Sequence, residues 1–426
     1  MSSTAAASSR RRAVELAAKT ERAREIPRLR SLHPDHRWLF VAAGAVVLIL
    51  LLTPAPRDFD YPGVTGGFRE VGATIRGEGV RSDFASDYVG ARGLLRHEDA
   101  YPVLGPAFRK IGIEWDVTTP SAHPPSALVY VLPFALLRWP LAAALWAIAM
   151  LAALAAAFWA VGVRGVVACA LAPLALLWPP AAWSMLQLTP LWLLGLALGW
   201  RFRSRPVSAG AAIACAALTK FTPTISLVPL VARRKYGAVA GFAAVWAGAA
   251  IVLLLTDFSS VSRYLGVSGD VTRYLAGRAY NGAPIIVGHR ALGVVGTIAV
   301  VALVALVLGQ SLARLRGGRD ADELSWAAWA WAGVALLPAV WVYSLLPLLP
   351  ILIWLIRRPQ LGPRLLAVVA FAIPLGVAPF SRASAPLYAF AIEACGFALA
   401  LTFMSERAHE RAISAPPAAG MRVAQR

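Results

Sequence analysis

The chain has 426 residues, 58% hydrophobic and 15% charged, with a formal net charge of +19 and a mean hydropathy of +0.63. A soluble domain carries about 25% charged residues, so this composition excludes a disordered chain, a collagen-like chain and a secreted disulfide scaffold. It favours one polytopic membrane domain over several soluble ones.

Residues 1–37 are polar and rich in Arg and precede the first apolar run without a cleavage-site pattern. They read as a cytoplasmic segment; its helix-friendly stretch, Ala13 to Arg24, suits either an anionic membrane surface or a solvated tail. Trp38 to Ala55 reads as the first span. The segment 56–123 lacks the basic excess of the other gaps and reads as a long outer loop, with a helix expected from Asp87 to Arg96. Pro124 to Leu137 is expected as a half-inserted helix, and Pro140 to Val163 as the return crossing. Gly165 to Ala181 with Leu188 to Trp200 reads as one hairpin. Val207 to Thr219 with Phe221 to Ala232 reads as a second, with Lys220 at its tip. Gly237 to Thr256 crosses back, 257–290 reads as a second outer loop, and Ala291 to Leu312 returns. Leu324 to Val340 with Val342 to Ile356, and Pro363 to Phe380 with Pro386 to Phe403, complete the bundle before a tail at 404–426.

This arrangement places the basic clusters at Arg201 to Arg205, Arg233 to Lys235, Arg314 to Arg319 and Arg357-Arg358 on one side. By the positive-inside rule it predicts about twelve spans in the plasma membrane, with both termini cytoplasmic and membrane lipids as surroundings. Several helices are short or interrupted by Pro, at Pro173, Pro223, Pro229, Pro347 and Pro350 among others. Such helices are tolerated where they line a cavity or are buried in protein. The charge therefore needs no nucleic-acid partner, and no nucleic-acid-binding signature is present. Cys169, Cys215 and Cys395 fall inside apolar runs without metal-ligand spacing.

On this topology the unusual polar residues collect toward the outer face: Asp83, Asp87, His123, Gln187, Lys220, Asn281, Arg290 and Tyr343. Ionisable groups near membrane depth are costly and default to function. Their gathering at one face suggests an active site opening there rather than a conduction path.

Ser82-Asp83-Phe84, followed by Tyr88-Val89-Gly90-Ala91, resembles the outer-loop motif of membrane glycosyltransferases of the GT-C fold. More specifically it resembles glycosyltransferase family 87, the polyprenyl-phosphate-mannose-dependent mannosyltransferases. Further stretches are similar to that family in the same order, after Tyr101. His123-Pro124-Pro125, with Pro133 behind it, is similar to an aromatic-Pro-Pro segment, and Gln187 stands at a Gly-Gln turn. Lys220-Phe221-Thr222-Pro223, ahead of Arg233-Arg234-Lys235-Tyr236, is similar to a Lys-x-x-Pro helix that ends in a basic-aromatic cluster. Asn281 with Arg290 resembles an Asn…Arg element. Leu186 departs from the Gly of the turn, Gly282 and Ala283 stand where Ser is common, and Trp341-Val342-Tyr343 occupies a site that often reads Trp-x-His. Tyr343 can donate a hydrogen bond there but carries no charge at neutral pH.

The resemblance implies an all-α GT-C architecture with its active site outside the cytoplasm. It implies transfer of mannose from a polyprenyl-phosphate sugar donor to a glycolipid or glycan acceptor. Asp83 is then the general base; one carboxylate suffices for inversion, whereas a retaining mechanism needs a second about 5 Å away. The leaving phosphate needs cations, for which Lys220, Arg290 and one of Arg263, Arg273 or Arg278 are candidates. Asp87 either orients the acceptor or is a solvated charge at the helix start. Neither a cofactor nor a metal is expected; Asp58-Phe59-Asp60 is the nearest approach to a metal pair, and no Gly-rich phosphate loop is present. His289 reads as an interface residue and Glu393 as a buried carboxyl without an assigned role. An arabinofuranosyl donor, a lipid-linked-sugar flippase and an inactive membrane subunit are the rival readings.

Overall fold

The structure, a computed structural model, describes residues 83–114, 117–163, 165–175, 178, 186–316, 323–375 and 382–414. The expected first span, the N-terminal segment, Asp58-Phe59-Asp60 and the end of the C-terminal tail lie outside the described residues, as does most of the first hairpin's tip. Among the described residues the secondary structure is helical, without a strand.

Helix α1, Asp83–Arg96, begins four residues before the expected start. Asp83 lies in its first turn and Arg96 in its last, each favourable to the helix dipole. Phe84 and Tyr88, one turn apart, bury its apolar side: the Phe84 ring stacks 4.9 Å from that of Trp146, and the Tyr88 hydroxyl donates to the Leu137 carbonyl at 2.6 Å. A short helix α2, Leu104–Arg109, follows. The half-inserted helix expected over 124–137 is instead two short turns, α3 (Pro125–Leu128) and α4 (Leu132–Ala135). Each carries a Pro in its first positions, where the missing N–H costs nothing, so each Pro starts a new helix rather than continuing one.

Next come α5 (Trp139–Ala160), α6 (Gly165–Ala175), α7 (Thr189–Arg201) and α8 (Pro206–Thr219). A 3-10 turn at Thr222–Leu227 leads into α9 (Val228–Ala232), so the second arm of that hairpin is not one α-helix. Helix α10 spans Gly237–Thr256, as the sequence predicts. The segment expected as the second outer loop is mostly helical: α11 (Ser259–Gly277) and α12 (Pro284–Leu292). In α11, Tyr264, Ser268, Val271, Thr272 and Leu275 fall on one side at helical spacing and line a cavity, while Leu265 is exposed on another. The chain continues as α13 (Val294–Arg316), α14 (Glu323–Ala335), a 3-10 turn at Val342–Leu348, α15 (Leu349–Ile356) and α16 (Leu361–Ala372). The last helix, α17 (Ser384–Ser414), runs beyond Phe403. Its Glu406 pairs with Arg314 at 2.7 Å and Arg358 at 3.3 Å, which ties this extension to α13 and to the end of α15.

Four helices among the described residues are long and apolar enough to cross a membrane: α5, α10, α13 and α17. Shorter apolar helices pack between them. Helices α8 and α10 meet through glycines: a Cβ on Gly210 would strike the carbonyl oxygen of Ala238, and one on Gly241 that of Val207. Close approach through small residues is how helices associate without a hydrophobic drive between them. Gly210→Leu is therefore expected to destabilise the fold by roughly 3 kcal/mol, the upper end of overpacking penalties. Thermal unfolding in detergent checks this, and an unchanged midpoint would show that the two helices can part without cost.

The ends of the helices differ in charge. The Lys235 ammonium donates to the Arg203 carbonyl at 3.1 Å, bringing together the basic loops before α8 and before α10. Helix α8 starts at this basic end, after Arg205, and finishes beside Lys220. The cavity lined by Lys220 and α11 therefore lies at the opposite end of these helices.

Candidate active site

A cavity of about 700 Å³ opens among α1, the 117–124 segment, α11 and the stretch that enters the 3-10 turn at 342–348. Asp83 lies half-buried at its wall. Its Oδ2 accepts a hydrogen bond from the Tyr343 hydroxyl at 3.2 Å, and its backbone carbonyl accepts one from Ser86 Oγ at 2.7 Å. One turn further along α1, the buried Asp87 places both carboxylate oxygens 2.8 and 2.9 Å from Nδ1 of His123.

The loop carrying His123 is itself fixed. Its backbone N–H donates to Ser121 Oγ at 3.3 Å, and its carbonyl accepts from the Tyr101 hydroxyl at 3.0 Å. Beyond Pro124, Ser126 Oγ donates to the Leu218 carbonyl at 2.9 Å and the Tyr130 hydroxyl to the Cys215 carbonyl at 2.8 Å. These bonds dock the segment on the last turns of α8. Lys220, extended just past that helix, enters the cavity wall with its ammonium 5.9 Å from the ring centres of both Trp192 and Tyr343, within cation–π range.

Burial pushes the Asp83 carboxyl up to about 6; the Asp87 charge adds to the rise, while His123, Lys220 and the Tyr343 hydrogen bond oppose it. For His123, burial works against the charged ring, but the Asp87 carboxylate outweighs it and raises the imidazole above its ordinary value. Burial lowers the Lys220 ammonium to about 8 against the pull of Asp83. A carboxylate that titrates near neutrality beside cations is suited to take a proton from a hydroxyl while neighbouring positive charge holds an anion.

Asp83, His123, Lys220 and Tyr343 share the cavity wall, and Asp87 stands directly behind His123. The other three predicted site residues are elsewhere. Gln187 is buried beside Tyr343 and does not line the cavity. Leu186 before it has φ +46, so the chain keeps the left-handed turn that glycine favours, with a buried Leu whose carbonyl accepts from Trp146 Nε1 at 2.9 Å. Asn281 is fully buried, and its amide is occupied by main chain. Nδ2 donates to the Leu275 and Pro338 carbonyls at 3.3 and 3.2 Å, and Oδ1 accepts from the N–H groups of Ala283 and Val340 at 2.9 and 3.0 Å. Arg290 points to the end of α11, where its Nη2 donates to the carbonyls of Ala276 at 2.6 Å and Arg278 at 3.0 Å. It satisfies carbonyls that the helix end leaves open, a role basic side chains favour.

Of the three alternative cations, Arg263 pairs with Asp257 at 2.9 Å and Arg273 with Asp270, and neither lines the cavity. Arg278 lines it, with its guanidinium 3.9 Å over the Tyr274 ring. His289 is exposed, with Nδ1 3.2 Å from Thr297 Oγ1, and Glu393 lies partly buried in α17 away from the cavity wall. Sequence reasoning missed the aromatic rim. Tyr280 and Trp341 lie 5.1 Å apart between ring centres at the cavity, next to Asn281 and two residues before Tyr343. Aromatics beside the predicted positions Asn281 and Tyr343 were the available signal. Among the described residues, no group of His, Cys, Asp or Glu is arranged to hold a metal ion.

Four apolar helices long enough to cross a membrane, with an ionisable cavity at the end opposite the basic loops, make this a helical membrane protein. Residues 122–338 match glycosyltransferase family 87, and the chain belongs to that family as a membrane glycosyltransferase with sugar donor and acceptor substrates. The matched stretch contains His123, Gln187, Lys220, Asn281 and Arg290; Asp83 and Tyr343 lie outside it. No curated protein and no solved structure matches the chain.

Proposed function

We propose that the protein transfers mannose from polyprenyl-phosphate mannose to a glycolipid or glycan acceptor, with inversion, at the extracytoplasmic face of the plasma membrane. The architecture is of the GT-C kind, with about twelve spans and cytoplasmic termini, the basic loops facing inward. The observation that carries this reading is the pairing of one near-neutral carboxylate, Asp83, with Lys220 in a cavity at the end away from those loops.

The acceptor hydroxyl attacks the anomeric carbon and Asp83 takes its proton, while the bond from that carbon to the phosphate oxygen breaks. The polyprenyl phosphate leaves as an anion and needs no proton; Lys220 and Arg278 stabilise its growing charge. Tyr280 and Trp341 give the sugar an apolar platform. Asp87 does not serve as a second, nucleophilic carboxylate, because His123 holds both its oxygens; a single free carboxylate corresponds to inversion. The uncharged Tyr343 favours keeping one second reading, an arabinofuranosyl donor of the same lipid-phosphate type.

The test is transfer by purified protein in detergent, with radiolabelled polyprenyl-phosphate mannose and a lipid extract as acceptor. Label moving into lipid or glycan is expected. Transfer from the arabinose donor alone would replace the sugar and keep the site. Absence of transfer in detergent, together with label carried across the bilayer once the protein is reconstituted into vesicles, would replace the reading with a flippase.

A further inference from the structure

Helix α1 places two carboxylates one turn apart on the same side, with Asp87 almost wholly shielded from solvent and Asp83 at the cavity wall. Like charges at this spacing repel on any helix, and burial enlarges the effect. The groups facing this pair come from four elements. The 117–124 segment contributes His123, the turn after α8 contributes Lys220, the 3-10 turn contributes the neutral Tyr343, and the connection between α1 and α2 contributes the neutral Tyr101, whose hydroxyl donates to the His123 carbonyl; Arg278, stacked on Tyr274, lines the same cavity. Only His123 among them contacts Asp87, and it does so with one nitrogen centred between both oxygens. The His123 side chain also lines the cavity. Among the charges that act on Asp83, the ionised Asp87, His123 and Lys220, the sum together with Asp83 is zero when His123 is protonated and negative when it is not.

We propose that His123 is a positioning residue that acts through Asp87: it supplies the counter-charge that allows Asp83 to be a carboxylate at neutral pH. This rests on the reading of Asp83 as the base and adds a division of labour within α1, one acid for chemistry and one for holding the cation. A purely structural tie between α1 and the 117–124 segment would need the hydrogen bonds but not the charge.

The experiment follows the acid limb of transfer against pH, together with an infrared titration of the Asp83 carboxyl band, identified by its disappearance in Asp83→Asn. His123→Gln keeps a donor toward Asp87 but removes the charge. It is expected to move both the limb and the band upward from about 6 by about one to three pH units, the usual effect of an opposite charge at close range. Adding Asp87→Asn to it should return both toward wild type, because the repelling charge is then gone as well. His123→Arg, which preserves a cation, should keep both near the wild-type position. A limb and band unmoved in His123→Gln, with only the melting temperature lowered, would overturn the proposal, as would a double variant that fails to recover. The infrared titration needs no sugar donor. A shifted band without transfer from any donor would refute the substrate reading and leave this one standing.

Discussion

Asp83→Asn lowers transfer by about 10²–10⁴-fold, the usual contribution of a positioned general base, while the protein remains folded. The amide has the same shape and its oxygen still accepts from the Tyr343 hydroxyl, whose bond to Asp83 measures 3.2 Å, so the cavity wall is preserved and only the proton acceptor is lost. The informative measurement is single-turnover transfer at saturating donor, alongside thermal unfolding in the same detergent. A large fall in rate with an unchanged unfolding midpoint assigns the loss to chemistry. Undiminished transfer would remove Asp83 from the mechanism. Asp87 would then be the nearest carboxylate, although its bonds to His123 argue against it.

The second large effect is expected at Lys220 and is best read through pH. Asp83, raised to about 6, must lose its proton to act, so kcat/KM rises as pH passes upward through that value. In its proposed role toward the donor phosphate, Lys220, lowered to about 8, must keep its proton, so kcat/KM is expected to fall as pH passes upward through that value. The result is a bell with its maximum near pH 7, between limbs of about 6 and 8. Lys220→Met should cost about 10²–10³-fold, comparable to deleting one preorganised donor to a developing anion. Lys220→Arg should retain part of the rate and lose the alkaline limb, because a guanidinium stays protonated above pH 12. An alkaline limb that survives in Lys220→Arg would show that another group titrates there.

Elements whose apolar run matches one helix were legible in the sequence. Helix α10 was read to the residue because twenty apolar and small residues sit between Tyr236 and Asp257. The turns at Thr222–Leu227 and Val342–Leu348 were read as α-helical because their apolar content is the same; what differs is local hydrogen bonding around proline, which periodicity does not record. Helix α11 escaped because its Gly, Ser, Arg and Asp content looks loop-like, and only the cavity gives its mixed face a purpose.

For the site, residue chemistry and motif order found the four wall residues, although Asp83 and Tyr343 stand 260 positions apart. They could not tell a residue that meets substrate from one that shapes the wall, because both are polar and both sit at the ends of apolar runs. Arg290 and Asn281 are of the second kind in their contacts, since each reaches main-chain groups instead of the cavity. Arg278 was indistinguishable from Arg263 and Arg273 until their carboxylate partners were seen.

The amide of Asn281 has a consequence for how such an enzyme can diversify. One side chain joins the end of α11, the start of α12 and the segment leading to Trp341, and it does not line the cavity. The rim carried by these segments, Tyr280 and Trp341, is therefore mounted on a frame whose integrity does not depend on the rim's own identity. Under the proposed platform role, mutation can exchange the rings, and with them the sugar, while the frame keeps its own main-chain bonds. Mechanical and selective functions are encoded at separate positions, which lets one change while the other is held constant.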